Sequence, residues 1–440
     1  MSSNLILCVA GFGQLAPNDF AFVNAYLNFL FKRSDFPPKL FFFKNCVLKI
    51  FNLFYIYLKY FCLSLIFMTE KMIVNPYQVE GEVDYQRLVK EFGLQEITPE
   101  ILEKIKQITK GLHPMLKRKI FFAHRDLNWV LDEYLKGNKF FLYTGCGPSG
   151  PIHLGHALVW YFTKYLQDTF DVELYFQFTD DEKFLYKDKP YEEIQKWVYE
   201  NMLDVIAIGF DPKKTFFIVD TKHAGLLYPE AIKVAKKLTF STVKSSFGFT
   251  DSNNVGSIFY TSMQAVPSFL PSVLKKKNIP CLIPHAIDQD NHFRITRDIL
   301  PKLGFYKPAS IQCSFLPPLT GAFGKMSSTG EAKGIFMTDS AKEIKDKINK
   351  YAFSGGQPTL EEHREKGGNT EIDIPFQYLK YLFEEDDEKL AEIEKDYSSG
   401  KMLTGEIKKY LIDKITAFLL AHQERRKDAH KKIDDFLLKV

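Results

Sequence analysis

The chain has 440 residues, of which 45% are hydrophobic and 25% charged. That is ordinary globular composition, with room for two domains or for one domain with extensions. A formal net charge of +4 is too small on a chain this long to argue for an anionic partner by itself, and the six cysteines (Cys8, Cys46, Cys62, Cys146, Cys281, Cys313) contain no C-x-x-C pair, which speaks against a disulfide framework or a zinc site and for reduced thiols in a cytosolic protein.

Residues 1–67 differ from the rest. They hold 13 of the 41 phenylalanines, six Lys/Arg and only two Asp. The run KIFNLFYIYLKYFCLSLIF, Lys49–Phe67, is apolar for about the length of a bilayer crossing. Three readings stand side by side: a membrane anchor, an organellar targeting segment, or a stretch outside the working protein. Targeting segments are usually amphipathic and Arg/Ser-rich, which this one is not. The third reading rests on the A/T-rich codons behind Phe, Ile, Leu, Lys, Asn and Tyr, and on MTEKM at Met68–Met72, which looks like a natural start. It expects no peptide from before Met68 in the native protein. Unless this segment is real and retained, no membrane partner is expected.

From Asp84 to Gly137 the pattern predicts mostly helix, as an extension over residues 68–139 that packs on the core. DYQRLVKEFG ends on Gly93. TPEILEKIKQITKG opens with Thr98 as a cap and Pro99 at the first helical position, and stops at Gly111. HRDLNWVLDEYLKG repeats the format. KFFLYTG then suits a buried strand, a Gly/Pro loop follows, HALVWYFTKYLQDTF has helical spacing, and VELYFQFTD is a second strand. Strand, loop, helix and strand within about 40 residues read as a right-handed βαβ unit of a parallel sheet. Further strands are predicted at TFFIVD, PCLIP and ASIQCSFLP, so that residues 140–338 form an α/β domain. After about Asp339 the strands stop. Residues 339–440 read as a helical domain, with Ile407, Leu411, Ile415, Phe418 and Leu419 forming one apolar stripe.

The loop GCGPSGPIHLGH, Gly145–His156, admits two interpretations. Its first six residues fit G-x-G-x-x-G, whose backbone N–H groups and following helix can receive a dinucleotide's phosphates. That reading, an NAD-linked oxidoreductase, wants an acidic residue about 20 residues on for the ribose. Asp180 and Asp181 lie about 30 residues past Gly150, and Pro148 removes a donor. Alternatively His153 and His156, flanking Leu154 and Gly155 at a helix start, donate hydrogen bonds to a triphosphate. Gly155, lacking a Cβ, would let a flat base lie against the backbone. Taken alone, one histidine that caps the helix and one that packs would explain the pair as well.

A second motif separates the two. GKMSST, Gly324–Thr329, follows the last predicted strand. Lys325 is a cation on a loop of small residues, suited to a departing pyrophosphate, and Ser327, Ser328 and Thr329 add hydroxyl donors. The pairing of His-x-Gly-His with Lys-Met-Ser-Ser resembles the signature of class I aminoacyl-tRNA synthetases. LYTGCGPS, QFTDDEKFLYKD, FGFTDS, QAVPSF, LIPHAIDQDNHFRITRD, AFSGG and MLTGEIKKYL resemble the tryptophanyl-tRNA synthetases of eukaryotic cytoplasmic type, over about Met72–Val440. The resemblance implies a Rossmann-like catalytic domain, a helical anticodon-binding domain, a cytoplasmic homodimer, L-tryptophan and tRNA(Trp) as substrates, and ATP with Mg²⁺. It implies no side-chain metal site.

The chemistry suits these residues. An amino-acid carboxylate is already ionised at pH 7, so its attack on the α-phosphate of ATP requires positioning and charge neutralisation in place of a general base. By resemblance His153, His156 and Lys325 are catalytic, and Thr144, Gly145, Gly155, Asp288, Met326 and the three hydroxyl residues hold ATP. Indole carries one N–H donor and no acceptor. By resemblance Tyr143 and Gln177 face it, Glu182, Gln264 and Gln289 surround the ammonium, Lys183 lies near the carboxylate, and Lys408 contacts tRNA. The tyrosine-specific relative shares fold and motifs and is the alternative among these enzymes; a non-enzymatic RNA-binding descendant of the fold is another. The chain departs from the family in having Cys146 where an Arg is usual and a loop one residue shorter, which leaves one ATP-holding cation missing or supplied from elsewhere.

Overall fold

The computed structural model describes residues 72–75, 78–80, 83–321, 324–326 and 334–439. The apolar run Lys49–Phe67 and the hydroxyl residues Ser327, Ser328 and Thr329 lie outside the described residues. Met72–Val440 makes one compact unit.

Strands β1 (Ile73–Asn75) and β2 (Gln78–Glu80) pair as a small antiparallel ribbon. Helix α1 (Tyr85–Phe92) ends on Gly93 in the left-handed region, as predicted. β3 (Gln95–Glu96) precedes α2 (Pro99–Thr109), whose Thr98 accepts from the Ile101 N–H. The left-handed residue that stops α2 is Lys110, not the predicted Gly111. Short α3 (Pro114–Lys117) leads into β4 (Phe121–Arg125) and α4 (Leu127–Leu135). The predicted helical stretch therefore contains two strands. Phe121–Arg125 is extended because it pairs antiparallel with a strand almost two hundred residues later, a contact that local periodicity does not record.

The predicted βαβ unit is β5 (Phe141–Cys146), α5 (Leu154–Phe170) and β6 (Glu173–Phe178). Then follow α6 (Asp180–Tyr186), α7 (Tyr191–Ile208), β7 (Thr215–Val219), α8 (Ala224–Ala235), α9 (Phe240–Phe247), α10 (Val255–Ala265) and α11 (Leu270–Leu274). β8 (Cys281–Ala286), α12 (Asp290–Ile299) and β9 (Ala309–Cys313) complete the sheet. Among the described residues the main sheet has seven strands in the order β3-β4-β9-β8-β5-β6-β7. From β9 to β7 all neighbours are parallel, while β3 and β4 add antiparallel strands at one edge. This is the expected α/β, Rossmann-like sheet, extended by an edge the sequence reading lacked.

Side chains alternate across the central strand. Leu142 joins a core built with α5, α7 and the C-terminal helices, and Phe141 and Tyr143 join a second core on the opposite face with α8, α10 and α12. Both faces are covered, as a parallel sheet requires.

After β9 the elements are helical: α13 (Ala341–Tyr351), α14 (Leu360–Lys366), α15 (Ile374–Tyr378), α16 (Asp387–Ser398), α17 (Thr404–Lys427) and α18 (Ile433–Phe436). Ile407, Leu411, Ile415 and Leu419 of α17 are buried, and Phe418 packs against the same core. The predicted long helices are interrupted by a π turn at Leu379–Phe383 and by the end of α17 at Lys427. Beyond it the chain returns to the sheet edge, where the Leu438 N–H donates to the Phe217 carbonyl (3.0 Å). That covers the free edge of β7.

Candidate active site

Chain order reverses at β5: β6 and β7 follow on one side, β8 and β9 on the other. In open parallel sheets, ligands bind outside the carboxyl ends of the strands at such a reversal. A cavity of about 250 Å³ lies there, lined by Tyr143–Gly147, Ile283–Ala286 and Cys313–Leu316. Of the residues singled out from sequence, Tyr143, Thr144, Gly145, His153, Gly155, His156, Gln177, Glu182, Lys183, Gln264, Asp288, Gln289, Lys325 and Met326 all line it. Lys408 does not. It is half-buried on α17 near Asp373, and burial lowers its pKa against the pull of that carboxylate.

The two motifs meet through the backbone. The Leu154 N–H donates to the Ile335 carbonyl (3.0 Å), and the Met337 N–H donates to the Ile152 carbonyl (2.9 Å). These bonds seat the far end of the GKMSST loop on the start of α5. At its near end the Met326 N–H donates to the Leu316 carbonyl (3.2 Å). A Cβ on Gly155 would sit 3.0 Å from the His153 ring and 3.7 Å from Met326 Cβ, so a side chain here would crowd the imidazole that glycine leaves in place.

His153 caps α5. Its Nδ1 accepts from the Gly155 N–H (3.1 Å), so the neutral ring carries its proton on Nε2. Burial, helped by the Lys325 charge, pushes its pKa down to about 3. His156 stacks on His153 (3.9 Å between ring centres) and on Trp160 (5.8 Å). Burial and then its charged and imidazole neighbours hold it well below the ordinary value. At pH 7 both rings are therefore neutral hydrogen-bonding groups, and the cations are Lys183 and Lys325.

Lys325 pairs with Asp288 Oδ2. Asp288 Oδ1 and His156 Nδ1 are buried with no hydrogen-bond partner among the described residues. Two orphaned polar atoms in one cavity are what a polar ligand would satisfy. Lys183 donates to Glu182 (2.9 Å), which also accepts from Thr179 Oγ1 (2.8 Å). Burial raises the Glu182 pKa, but the Lys183 charge and these hydrogen bonds outweigh it and keep the carboxyl below its usual value. Lys183 lies across Gly147, where a Cβ would fall 1.8 Å from its Cε. Its charge also reaches Cys146, whose thiol burial pushes far up. The cation at this loop is thus a lysine from α6, beside the position where Cys146 stands. Cys146, Cys281 and Cys313 are buried free thiols.

The dinucleotide reading fails on Asp180. This carboxylate is fully buried and accepts from the Thr221 N–H (3.1 Å) and Gln195 Nε2 (2.6 Å). It is consumed by the fold and unavailable to a ribose. Asp181 is likewise turned inward, hydrogen-bonded to Asp220. On α17 Arg425 donates to the Ala207 carbonyl and Arg426 to Asp204 and Glu200.

Several cavity residues were not singled out from sequence. Tyr260 donates to Gln264 Oε1, and His292 lines the cavity, with burial pushing its pKa down to about 4. Asp220 stands behind Gln177. An acid closing the strand TFFIVD was the one available signal for Asp220. Tyr260 has none, being one apolar-face residue of a helix.

Among the described residues no group of three or more His, Cys, Asp or Glu side chains is arranged to hold a metal ion, and no helix is long and apolar enough to cross a membrane.

The family model described as tRNA synthetases class I (W and Y) matches residues 135–420. The chain is 49% identical over 370 residues to the Tryptophan–tRNA ligase of Saccharolobus solfataricus, covering 84% of this chain and 96% of that protein. It is 50% identical over 372 residues to the Tryptophan–tRNA ligase of Sulfurisphaera tokodaii, with the same coverage. Among solved structures it resembles tryptophanyl-tRNA synthetase from Plasmodium falciparum, with a TM-score of 0.76 and 44% identity, covering 81% of this chain and 95% of that one.

Proposed function

This chain belongs to the class I tRNA synthetases of the tryptophan and tyrosine group, and on that premise we propose its reaction. It joins L-tryptophan to ATP as tryptophanyl-adenylate and passes the aminoacyl group to the 3′ end of tRNA(Trp). One observation carries this reading: the His153–His156 pair, Lys325 and a cluster of hydrogen-bonding side chains converge on one cavity at the reversal of the sheet.

In the first step the tryptophan carboxylate attacks the α-phosphorus. A carboxylate O–P bond forms, the bond to the β-phosphate oxygen breaks, and pyrophosphate leaves. No proton has to be removed, so the work of the site is placement and charge compensation. His153 offers Nε2–H to the phosphates. Lys325 exchanges Asp288 for the leaving pyrophosphate, and Lys183 bridges the carboxylate and the α-phosphate. Thr144, Gly145, Gly155, Met326 and the three hydroxyl residues beyond Met326 cradle the nucleotide. Mg²⁺ would arrive on the phosphates, where it neutralises charge, and the unpartnered Asp288 Oδ1 is the side-chain atom suited to it. Glu182, Gln264 and Gln289 hold the tryptophan ammonium, and Tyr143 with Gln177 takes its indole N–H. In the second step the 2′-hydroxyl of the terminal ribose attacks the carbonyl of the mixed anhydride, an ester bond forms, the acyl–phosphate bond breaks, and AMP leaves with its phosphate taking up the hydroxyl proton.

Pyrophosphate exchange dependent on tryptophan and not on tyrosine is the expected result. Exchange with tyrosine alone would transfer the assignment to the tyrosine branch of the family.

The helical region 339–440 is proposed to read the anticodon, with Lys408 contacting tRNA, in a cytoplasmic enzyme. The enzyme is proposed to work as a homodimer, as the resemblance implies. On α8 Tyr228 and Ile232, one turn apart, are exposed, and an apolar pair of this kind is suited to a second copy. Ile232→Glu should halve the mass seen by sedimentation. A native chain that sediments as a monomer would remove the proposal.

A further inference from the structure

Five side chains run as one hydrogen-bonded chain beneath the cavity. Tyr260 donates to Gln264 Oε1. Gln264 Nε2 donates to Tyr143 Oη (2.7 Å), Tyr143 donates to Gln177 Oε1 (2.5 Å), and Gln177 Nε2 lies 2.8 Å from each carboxylate oxygen of Asp220. Tyr143, Gln177 and Asp220 are each at most 1% exposed. An amide can sit either way round, and its direction is set by what surrounds it. Burial and Asp181 hold the Asp220 carboxyl well above its usual range, and the proton it carries is directed at Asp181, so both Asp220 oxygens accept from Gln177 and leave one choice. The amide nitrogen must face Asp220, and the amide oxygen must face Tyr143. The single hydroxyl hydrogen of Tyr143 is then committed to Gln177, away from its other acceptor within reach, the Gln264 carbonyl at 3.3 Å. Gln264 is oriented from the far side by Tyr260. The one Tyr143 hydrogen is used internally, and what the Tyr143 hydroxyl and the Gln177 amide oxygen leave toward the cavity is lone pairs.

We propose that Asp220 is a specificity-determining positioning residue: by fixing the direction of the Gln177 amide it makes the floor of the side-chain pocket acceptor-only, and so selective for a ring that bears an N–H. Asp181, hydrogen-bonded to Asp220 from α6, braces the carboxyl on its other side. Asp220 reaches the substrate only through Gln177 and Tyr143. The inference deepens the tryptophan reading and rests on it.

The test compares tryptophan with 3-benzothienylalanine, which has the same bicyclic shape with sulfur in place of N–H. Replacing Asp220 by leucine frees the Gln177 amide to turn and the Tyr143 hydrogen to point into the cavity. Sites that hydrogen-bond a substrate N–H discriminate strongly because the analogue leaves buried groups unpaired. In pyrophosphate exchange, the ratio of kcat/KM for tryptophan to that for the analogue should fall at least tenfold in D220L, with KM for ATP unchanged. A purely structural role would lower both amino acids equally and leave the ratio where it was, which would overturn the inference. Should D220L not fold, a neutron structure of the native enzyme decides. The deuterated Gln177 nitrogen facing Asp220 and the Tyr143 deuteron directed at Gln177 support the inference, and a Tyr143 deuteron pointing into the cavity refutes it. If the native enzyme shows no tryptophan-dependent exchange at all, the tryptophan reading itself fails, an outcome distinct from an unchanged ratio.

Discussion

Lys325 is half-exposed and its partner Asp288 is buried, an asymmetry that suits a cation with two stations. On Asp288 it offsets a buried carboxylate, and in the proposed reaction it would compensate, on a departing pyrophosphate, charge that develops only in the transition state. Lys325→Ala should therefore slow tryptophan-dependent pyrophosphate exchange by more than tenfold, while tryptophan binding, followed by fluorescence titration, stays near normal. Exchange at the native rate would refute this role. The neutral imidazoles make a separate prediction about stability. Burial, with the Arg118 charge, pushes the His113 pKa down to about 4, and its Nδ1 accepts from the Met115 N–H (3.2 Å). The folded state thus binds fewer protons than an unfolded chain titrating near 6.5. The stability that follows is fully present above pH 6.5 and is lost as pH falls toward 4, by at most about 1.4 kcal/mol per unit for one group. His153 and His292 act in the same direction. Asp181, pushed up to about 6 by burial, acts in the other, since its contribution is lost as pH rises through 6. His113→Gln, which keeps an acceptor for the cap, should flatten the loss of unfolding free energy between pH 6.5 and 5 by on the order of 1 kcal/mol. An unchanged slope in urea titrations would mean that this ring is not what titrates. That Lys325 and the histidines share one cavity was legible because each motif is short and local. Asp220 was not, because its meaning lies in an amide from a neighbouring strand and a carboxyl from α6.

Helix α17 shows what elements contribute. Arg426 donates to Asp204 (2.7 Å) and Glu200 (2.6 Å) on α7, and the buried His422 Nε2 lies 3.2 Å from the same Asp204 oxygen. One turn away Gln423 donates to the Met337 and Asp339 carbonyls, where the GKMSST loop rejoins the fold. The apolar stripe of α17 was readable as a 3.6-residue period, but its last turns carry polar and charged residues that local pattern assigns to solvent. They are instead the pins that hold α17 to α7 and to the segment Met337–Asp339. Removing one partner of a buried ionic cluster leaves the others uncompensated. Asp204→Ala should cost about 3 kcal/mol in urea unfolding, and a change under about 0.5 kcal/mol would show that the apolar stripe alone seats α17. The same non-locality explains the missed strands. Phe121–Arg125 carries a His and an Arg that look like the start of the following helix, yet Arg125 is spent on the buried carboxylate of Asp290, with contacts of 3.0 and 2.8 Å. β5, β6, β7, β8 and β9 were readable because each is a short apolar run closed by a turn residue, and a buried parallel strand needs no partner-specific signal.

At the scale of the molecule, charge and length both separate the first 67 residues from the rest. Beyond them the chain has as many acidic as basic side chains, so the formal +4 belongs wholly to that segment. A neutral body must meet tRNA through local clusters, and net attraction contributes little. The unit Met72–Val440 contains the cavity, both faces of the sheet and the helical region. Its length is close to the 370 residues that match the Saccharolobus solfataricus protein across 96% of that relative. Every side chain assigned a role above lies inside this unit, and the hydrogen-bond network that orders Tyr143 and Gln177 closes within it. A chain beginning at Met68 should therefore keep kcat/KM for tryptophan-dependent pyrophosphate exchange within about threefold of the full-length value, because the groups that stabilise the transition state and their supports are retained. The same comparison should hold for aminoacylation of tRNA(Trp) at low and high salt, since a segment carrying all of the excess positive charge would otherwise steepen the salt dependence of the longer form. A loss of more than tenfold in exchange by the shorter chain would show that the first 67 residues support the catalytic unit. A loss confined to aminoacylation at high salt would assign them to tRNA capture.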